Sequence, residues 1–177
     1  MPITPDTKNW TWVLERECPE CGFDSSATRA AEVPALLRAN AAAWPAVLGR
    51  DDVRVRPDDA TWSPLEYAAH VRDVFRISQV RFGLMLDREL VDPEFPNWDQ
   101  DVTAVEDNYN EQDPVAVAAE IGVEGEALAA LLEAVPADAW NRQGLRSDGS
   151  LFTVDTLARY IIHDPVHHLH DVGGDRA

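Results

Sequence analysis

Apolar residues recur at helical spacing in four long stretches of the chain, whereas alternating strand patterns are nearly absent. The spacing predicts helices at about residues 24–48, 63–88, 113–134 and 153–172. Four long helices without a substantial sheet indicate an all-α four-helix bundle. We expect residues 1–177 to form one such domain, with connections long enough to cross over the bundle.

The second predicted helix has the clearest start. In "WSPLE", Ser63 stands at the N-cap position, Pro64 at the first helical position and Glu66 three residues after the cap. This is a capping box in which the missing N–H of proline costs nothing. The first helix has two alternative starts, because residues 24–26 are good N-cap residues and Pro34 is compatible with a first turn.

Two segments outside the helices have features of their own. Residues 1–23 contain several prolines and form a predicted N-terminal arm, which Trp10 and Trp12 would hold against the body. Just before the last helix, "SDGS" is typical of a tight turn and indicates a small hairpin.

The balance of charge argues against whole classes of partner. The chain has 32 acidic and 15 basic residues, a net charge of −17 and no basic cluster. Such a surface repels nucleic acid phosphates and anionic lipid headgroups, so neither is an expected partner.

No apolar run approaches the ~18 residues of a membrane span, and the first residues lack a signal-peptide pattern. We expect a cytoplasmic protein whose alanine-rich amphipathic helices pair as a homodimer.

Four of the five histidines lie close together in "YIIHDPVHHLHDV", near the end of the last predicted helix. Each helical residue is turned by about 100°, so His163 and His167 share a face and can chelate one metal ion, while His168 points elsewhere. The fifth histidine, His70, lies on the inner face of the second helix. Three imidazoles would bind Zn²⁺, Ni²⁺ or Fe²⁺ and leave positions open for a substrate. The alternative is a partly exposed helix end whose histidines interact with the helix dipole.

The two cysteines, Cys18 and Cys21, occur in "ECPECG". A structural zinc site needs four ligands, and the sequence has no second C-x2-C pair. The favoured interpretation is a tight turn with two reduced thiols, and a reversible disulfide is the alternative.

The segments "TWSPLEYAAHVRD" and "LARYIIHDPVHHLHDV" together resemble the DinB-like superfamily, and the resemblance extends over most of the chain. Members are four-helix bundles with a divalent metal held by one histidine of the second helix and an H-x3-H pair of the fourth. The resemblance implies that the ligands are His70, His163 and His167, and that His168 and His170 stand outside this set. The arm and the "FPNWDQD" segment look like an actinobacterial subgroup.

The superfamily includes the metal-binding domain of mycothiol-dependent maleylpyruvate isomerase and bacillithiol-linked transferases. The resemblance therefore implies an enzyme in which the metal activates water or a low-molecular-weight thiol, such as mycothiol, for attack on a small electrophile. The reaction type would be S-transfer or isomerisation. A non-catalytic, stress-associated metal-binding protein is the alternative.

Several residues are candidates for supporting roles around the metal. Asp73, Asp164 and Asp171 would accept the second N–H of the ligand imidazoles and orient the rings. The candidates for walls of the substrate pocket are Tyr67, Trp98 and Tyr160.

Trp98 lies in a long acidic connection, residues 89–112, together with Phe95 and Tyr109. Disordered segments are poor in aromatic residues, so we predict an ordered connection that folds back over the bundle. We further predict that Trp98 lies near the open end of the metal site. The alternative is packing at the far end of the bundle, where the connection would only seal the core.

Overall fold

The computed structural model describes residues 9–174, so the first part of the predicted arm lies outside the described residues. The helices are α1 (Val33–Leu48), α2 (Pro64–Leu86), α3 (Gln100–Glu106), α4 (Pro114–Glu133) and α5 (Val154–Asp171), and the strands are β1 (Glu94–Phe95), β2 (Gln143–Arg146) and β3 (Leu151–Thr153). The four long helices form the predicted four-helix bundle. Within the described range, no helix combines the length and the apolar character needed to cross a membrane.

The order of the helices around the bundle differs from their order along the chain. Helices α1 and α2 each lie against both α4 and α5. The order around the bundle is therefore α1, α4, α2, α5, so that α1 and α2 occupy opposite corners. The chain crosses over the bundle between them, as the long connections in the sequence allow.

The capping box predicted for α2 is present. The Ser63 hydroxyl accepts a hydrogen bond from the backbone N–H of Glu66 at 3.3 Å. The Glu66 carboxylate accepts one from the backbone N–H of Ser63 at 2.9 Å. Two donors at the start of the helix are thereby satisfied, which fixes where α2 begins.

Helix α1 begins later than the first of its two predicted starts. Its first residue is Val33, with Pro34 in the first turn. The carboxylate of Asp24 instead accepts the backbone N–H of Ser26 at 2.9 Å and caps a separate turn. The local hydrogen bond offered by the aspartate therefore competes with helix formation at this point.

A chain of buried hydrogen bonds joins α1 to α5. The indole N–H of Trp44 donates to Asn40 Oδ1 at 3.0 Å, and the Asn40 amide donates to the carbonyl oxygen of Pro165 at 2.7 Å. Both Asn40 and Trp44 are buried. A buried amide left without partners costs free energy, so these bonds fix the position of α5 against α1.

The acidic connection, residues 89–112, contains regular structure. It includes β1, α3 and a short 3-10 turn at Tyr109–Glu111. Strand β1 pairs in parallel with β2, with Glu94 opposite Leu145, and β2 forms the predicted hairpin with β3. The connection is thus joined by backbone hydrogen bonds to the hairpin that precedes α5.

Tyr109 anchors the connection on α2. Its ring is fully buried and its hydroxyl donates to Asp73 Oδ2. Two guanidinium nitrogens of Arg72 bind the same carboxylate, each at 2.9 Å. Burial by itself would raise the pKa of Asp73, but the hydrogen bonds from Arg72 and Tyr109 outweigh it and hold that pKa below its usual value.

Tyr109→Phe removes this hydroxyl and keeps the ring. We expect the free energy of unfolding at neutral pH to fall by about 1–3 kcal/mol, because a buried carboxylate loses one donor. Since the folded-state pKa of Asp73 is depressed, the stability from its ionised form is present above the unfolded pKa of about 3.9 and is lost as the pH falls through the folded value. Urea unfolding should therefore show that the difference in unfolding free energy between wild type and Tyr109→Phe is smaller at acidic pH than at neutral pH. An unchanged midpoint at neutral pH would mean that ring packing alone holds Tyr109.

Candidate metal centres

Helix α5 presents two pairs of potential metal ligands in different directions. His163 and His167 are one turn apart, and so are Asp164 and His168, each one residue further along the helix. Successive helical residues differ in direction by about 100°, so the two pairs meet different surroundings. Each pair meets donors from another part of the chain, which gives two groups of candidate ligands.

The first group, named here the Cys–His group, consists of Cys18, Cys21, His163 and His167. One ligand atom from each residue lies within 4.8 Å of the others. Cys18 Sγ is 3.8 Å from His167 Nδ1, and Cys21 Sγ is 3.7 Å from His163 Nε2. All four side chains are buried, and the two cysteines are thiols.

The N-terminal arm brings the two cysteines to α5 through a tight turn. The backbone N–H of Gly22 donates to the carbonyl oxygen of Cys18 at 2.8 Å, and the N–H of Cys18 donates to that of Phe23 at 2.9 Å. Gly22 has a φ of 70°, a left-handed conformation that glycine adopts without steric cost. Trp10 lies against both histidine rings of the group, with centroids 5.4 and 5.3 Å away. The turn and the tryptophan together hold the arm on α5.

The second group, named here the His–Asp group, consists of His70, Asp164 and His168. Asp164 Oδ1 lies 3.0 Å from His70 Nε2 and 3.8 Å from His168 Nε2. His70 is fully buried on α2. Trp98 stacks on its ring with a centroid distance of 5.2 Å and an interplanar angle of 8°. The acidic connection thus folds back over the histidine of α2.

Asp171, at the end of α5, contacts both groups. Its Oδ2 lies 3.1 Å from His168 Nδ1 and 3.5 Å from His167 Nε2. A carboxylate that accepts the proton of one ring nitrogen fixes the tautomer in which the other nitrogen has a free lone pair. For His168 this other nitrogen is Nε2, which faces Asp164.

Burial and neighbouring charges set the ionisation of the two groups. Burial by itself would raise the pKa of Asp164, but the nearby His70 and His168 outweigh it and hold that pKa well below its usual range. Burial lowers the pKa of His163 to about 4, and the neighbouring His167 adds to this effect. Burial also lowers the pKa of His167. Ionised carboxylates and neutral imidazoles are the forms that bind metal ions.

A cleft of about 1330 Å³ opens beside both groups. Asp164 and His168 of the His–Asp group line it. Its walls also include Tyr67, Trp98 and Tyr160, the three residues that the sequence suggested for a substrate pocket. The volume is at least that of ordinary small-molecule pockets, which occupy about 300–1,000 Å³.

One wall of the cleft carries a buried cation, Arg81. Its side chain is 9% exposed, donates to the carbonyl oxygen of Pro96 at 3.2 Å and lies over the ring of Phe95. Burial and the nearby Arg146 lower the pKa of Arg81. Among residues 9–174, no carboxylate lies within ion-pair distance of this guanidinium. A positive charge therefore faces the cleft without a direct ion pair, while Asp148 and Asp164 act on it from a greater distance and by themselves raise its pKa.

The structure divides the predicted metal ligands between the two groups. His163 and His167 share a group, but their partners are the two cysteines, and His70 is placed with Asp164 and His168. This grouping differs from the single site expected from one histidine of α2 and the H-x3-H pair, and the ligand set stays a prediction. The difference arises from the rotation of α5 about its axis. When the H-x3-H face is turned toward the arm, the residues directed toward α2 are those one position later.

Three residues lie in positions other than those that their expected roles suggested. His168, expected outside the ligand set, stands in the His–Asp group. Asp164, expected to orient an imidazole, is itself a candidate ligand. Asp73 is bound by Arg72 and Tyr109 and belongs to neither group.

The two cysteines lie beside the H-x3-H pair, which their interpretation as a simple turn did not consider. A C-x2-C pair can combine with an H-x3-H pair as well as with a second C-x2-C, and both combinations are ligand spacings of zinc sites. His163 and His167 supply that spacing, 142 residues after Cys21. The signal was therefore present in the sequence, but it was divided between the two ends of the chain.

Comparisons with known proteins agree with the four-helix bundle. Residues 35–172 match the family model described as the DinB superfamily. The fold is similar to that of YfiT from Bacillus subtilis, described as a probable metal-dependent hydrolase with an unusual four-helix bundle topology. That likeness has a TM-score of 0.63 at 19% identity and covers 97% of this chain and 92% of YfiT, so it concerns the fold. No curated protein matches the sequence significantly.

We predict that the His163 imidazole titrates at about pH 4 in the metal-free protein. Since this folded-state pKa lies below the ordinary value of 6.5, the neutral ring contributes stability above pH 6.5 that is lost as the pH falls toward 4. NMR of the ring nitrogens after removal of metal by a chelator measures the midpoint. A midpoint near 6.5 would show that water reaches the ring and that the Cys–His group is open.

Proposed function

The chain belongs to the DinB superfamily, and from that premise we propose that it is a metalloenzyme whose metal ion is held by His70, Asp164 and His168. Its reaction is the attack of an activated small nucleophile, either water or a low-molecular-weight thiol, on a small electrophilic substrate. The observation that carries the proposal is the position of Asp164 and His168 in the wall of a cleft large enough for a substrate.

The residues of the His–Asp group fit a divalent ion. Two imidazole nitrogens and one carboxylate oxygen are a common set for zinc, and they leave further positions for water or substrate. With bonds of about 2.1 Å, ligand atoms on one ion lie roughly 3.0–3.4 Å apart. The observed separations of 3.0 and 3.8 Å are close to this range. His70 Nδ1 is buried without a hydrogen-bond partner among residues 9–174, so the polar contact that positions this ring is the one with Asp164.

The chemistry requires a nucleophile whose pKa is lowered and metal ligands that are held in position. A bound divalent ion lowers the pKa of water or of a thiol and so supplies a nucleophile at neutral pH. Asp171 holds His168 in the tautomer that directs a lone pair from Nε2. Trp98 covers one face of the His70 ring and keeps bulk water from that side. The cleft side of the group is left for the substrate.

One residue in the wall of the cleft, Arg81, bears on the substrate class, although most of the charged residues that line the cleft are acidic. Arg81 offers a guanidinium that no carboxylate of the described residues neutralises by ion pairing. A substrate with a carboxylate or another anionic group would supply the missing partner, with the charge-assisted bonds that guanidinium forms well. The aromatic walls, including Tyr67, Trp98 and Tyr160, would contact its apolar part. We therefore propose a small anionic electrophile.

Two nucleophiles lead to two reaction types at the same site. Water gives hydrolysis, the reaction type in the description of YfiT. A thiol such as mycothiol gives S-transfer or isomerisation, and the cleft volume accommodates either nucleophile together with a substrate. The donor set accepts Zn²⁺, Ni²⁺ or Fe²⁺, because nitrogen and oxygen ligands suit all three.

A non-catalytic, stress-associated metal-binding protein is the second candidate. The observation in its favour is the Cys–His group, whose four buried donors would hold a metal ion without a position open to substrate. Pairing as a homodimer likewise stays a proposal, because a single chain contains no contact that bears on it.

His70→Ala and His168→Ala should each lower the metal content by one ion per chain, because the His–Asp group loses a ligand. Elemental analysis of protein purified without chelators measures this. The matched control is His170→Ala, which removes a histidine of the same helix that belongs to neither group, and it should retain the wild-type content. If His163→Ala and His167→Ala remove the same ion and His168→Ala does not, the ligand set implied by the family resemblance is the correct one.

The reaction itself is tested with the metal-loaded protein. A chromogenic ester in water reports hydrolysis, and a small thiol with a chromogenic electrophile reports S-transfer. Turnover of one of them that is lost in His168→Ala and retained in His170→Ala supports the enzyme. Metal binding at the His–Asp group without either turnover favours the non-catalytic candidate.

Trp98→Ala should impair substrate binding more than metal binding. The indole contacts the face of the His70 ring rather than its nitrogens, and it forms part of the cleft wall. We expect KM to rise about tenfold, because roughly 1–2 kcal/mol of apolar contact is lost, while the metal dissociation constant changes by less than about threefold. Titration calorimetry with the metal, set beside steady-state kinetics, separates the two. An equal loss of metal affinity would mean that Trp98 mainly positions His70.

A further inference from the structure

We propose that Cys18, Cys21, His163 and His167 bind a zinc ion in a closed, four-coordinate structural site that fastens the N-terminal arm to α5. This site is separate from the His–Asp group and does not depend on the proposed reaction. It would make the chain a protein with two metal centres on one helix, one closed and structural and one with positions open to the cleft.

The distances within the Cys–His group are those of ligands arranged around one ion. With Zn–S bonds of about 2.3 Å and Zn–N bonds of about 2.05 Å, a tetrahedral site places sulfur and nitrogen about 3.5 Å apart. The two observed sulfur–nitrogen separations are 3.8 and 3.7 Å. The whole set of ligand atoms lies within 4.8 Å. The two sulfur–nitrogen separations therefore exceed the tetrahedral value by only a few tenths of an ångström.

The chemistry of the donors selects zinc. Two thiolates and two imidazoles in a tetrahedral arrangement suit Zn²⁺, whereas magnesium and calcium prefer oxygen ligands. The ligand spacing C-x2-C with H-x3-H is that of Cys2His2 zinc sites. Four protein ligands complete the shell, and such closed sites are structural rather than catalytic.

The surroundings of His167 support coordination through a particular ring nitrogen. Its Nδ1 faces Cys18 Sγ, while its Nε2 lies 3.5 Å from Glu20 Oε2 and 3.5 Å from Asp171 Oδ2. Metal-binding imidazoles commonly direct their second nitrogen to a carboxylate, which fixes the tautomer and the ring orientation. Glu20 stands between the two cysteines in the sequence, so the turn that supplies the thiols also supplies this carboxylate.

Burial and aromatic contacts close the sulfur side of the group from solvent. The cysteines are 0% and 1% exposed, and the histidines 4% and 7%. Trp10 lies against both imidazole rings, and Trp12 lies 6.5 Å from that of His163. The cleft is lined by the two histidines but by neither cysteine. The sulfur side of the group is therefore enclosed by the arm.

The site would also determine the direction of the residues used in the cleft. Asp164 and His168 follow His163 and His167 by one position, so fixing one pair fixes the rotation of the other. A metal that holds the arm to α5 would thus keep the His–Asp group directed toward α2. Loss of this zinc should weaken binding at the cleft as a secondary effect.

The test compares wild-type protein with the double variant C18S/C21S and with His170→Ala, all purified without chelators and in reducing buffer. We expect the double variant to lose one zinc ion per chain and to unfold at a temperature lower by about 5–10 °C. His170→Ala should keep its zinc ion and unfold at the wild-type temperature. Replacement of zinc by Co²⁺ should give thiolate-to-metal charge-transfer absorption in the wild type and in His168→Ala. That band should be absent from C18S/C21S, because the His–Asp group contains no sulfur.

A second measurement covers the case in which the double variant does not fold. Wild-type protein stripped with a chelator should regain one tightly bound zinc ion. With that ion, both thiols should react with an alkylating reagent at least tenfold more slowly than without it. X-ray absorption of the reloaded protein should show sulfur and nitrogen ligands in equal number.

Two results would overturn the proposal. One is a wild-type protein whose thiols react equally fast with and without zinc and which shows no thiolate–cobalt absorption. The other is a disulfide between Cys18 and Cys21 in protein taken directly from a reducing extract. Either result would leave the His–Asp group untouched, since loss of metal in His70→Ala and His168→Ala is a separate observation.

Discussion

Each residue of an α-helix is turned by about 100° from the one before it, and this constraint governs how α5 uses its polar side chains. Residues at i and i+4 share a direction, so His163 pairs with His167 and Asp164 with His168. One helix therefore supplies two adjacent pairs to two different surroundings. The rotation of α5 decides which pair meets the arm and which meets α2, and every role assigned to the site follows from it.

The rest of the fold supports that rotation from three sides. On the side of α1, the Asn40 amide is bonded to the carbonyl of Pro165. On the side of the arm, Trp10 lies against the rings of the Cys–His group. On the side of α2, Trp98 of the acidic connection stacks on His70. A chain with a net charge of −17 thus packs aromatic rings against its candidate metal ligands and places the carboxylates of Asp164 and Asp171 beside them.

Local signals in the sequence were sufficient for most of the fold. The capping box of Ser63 and Glu66 set the start of α2, because its hydrogen bonds involve residues three apart. The turn signal "SDGS" marked the hairpin for the same reason. The start of α1 had two local candidates, and the hydrogen bonds of Asp24 form a separate turn that leaves the start at Val33. The pairing of β1 with β2 had no local signal, since it joins Glu94 to Leu145 across α4.

The sequence by itself determined that His163 and His167 lie on one face, because their spacing fixes a common direction on any helix. It also supplied the C-x2-C pair of the arm, whose turn depends on nearby residues such as Gly22. Only the tertiary structure decided which donors meet, since Cys21 and His163 are 142 residues apart. The choice also depends on a rotation of about 100° that leaves the helical pattern of the sequence unchanged. That rotation is set by the combined packing of α5 against α1, α2 and the arm, and no single stretch of sequence contains it.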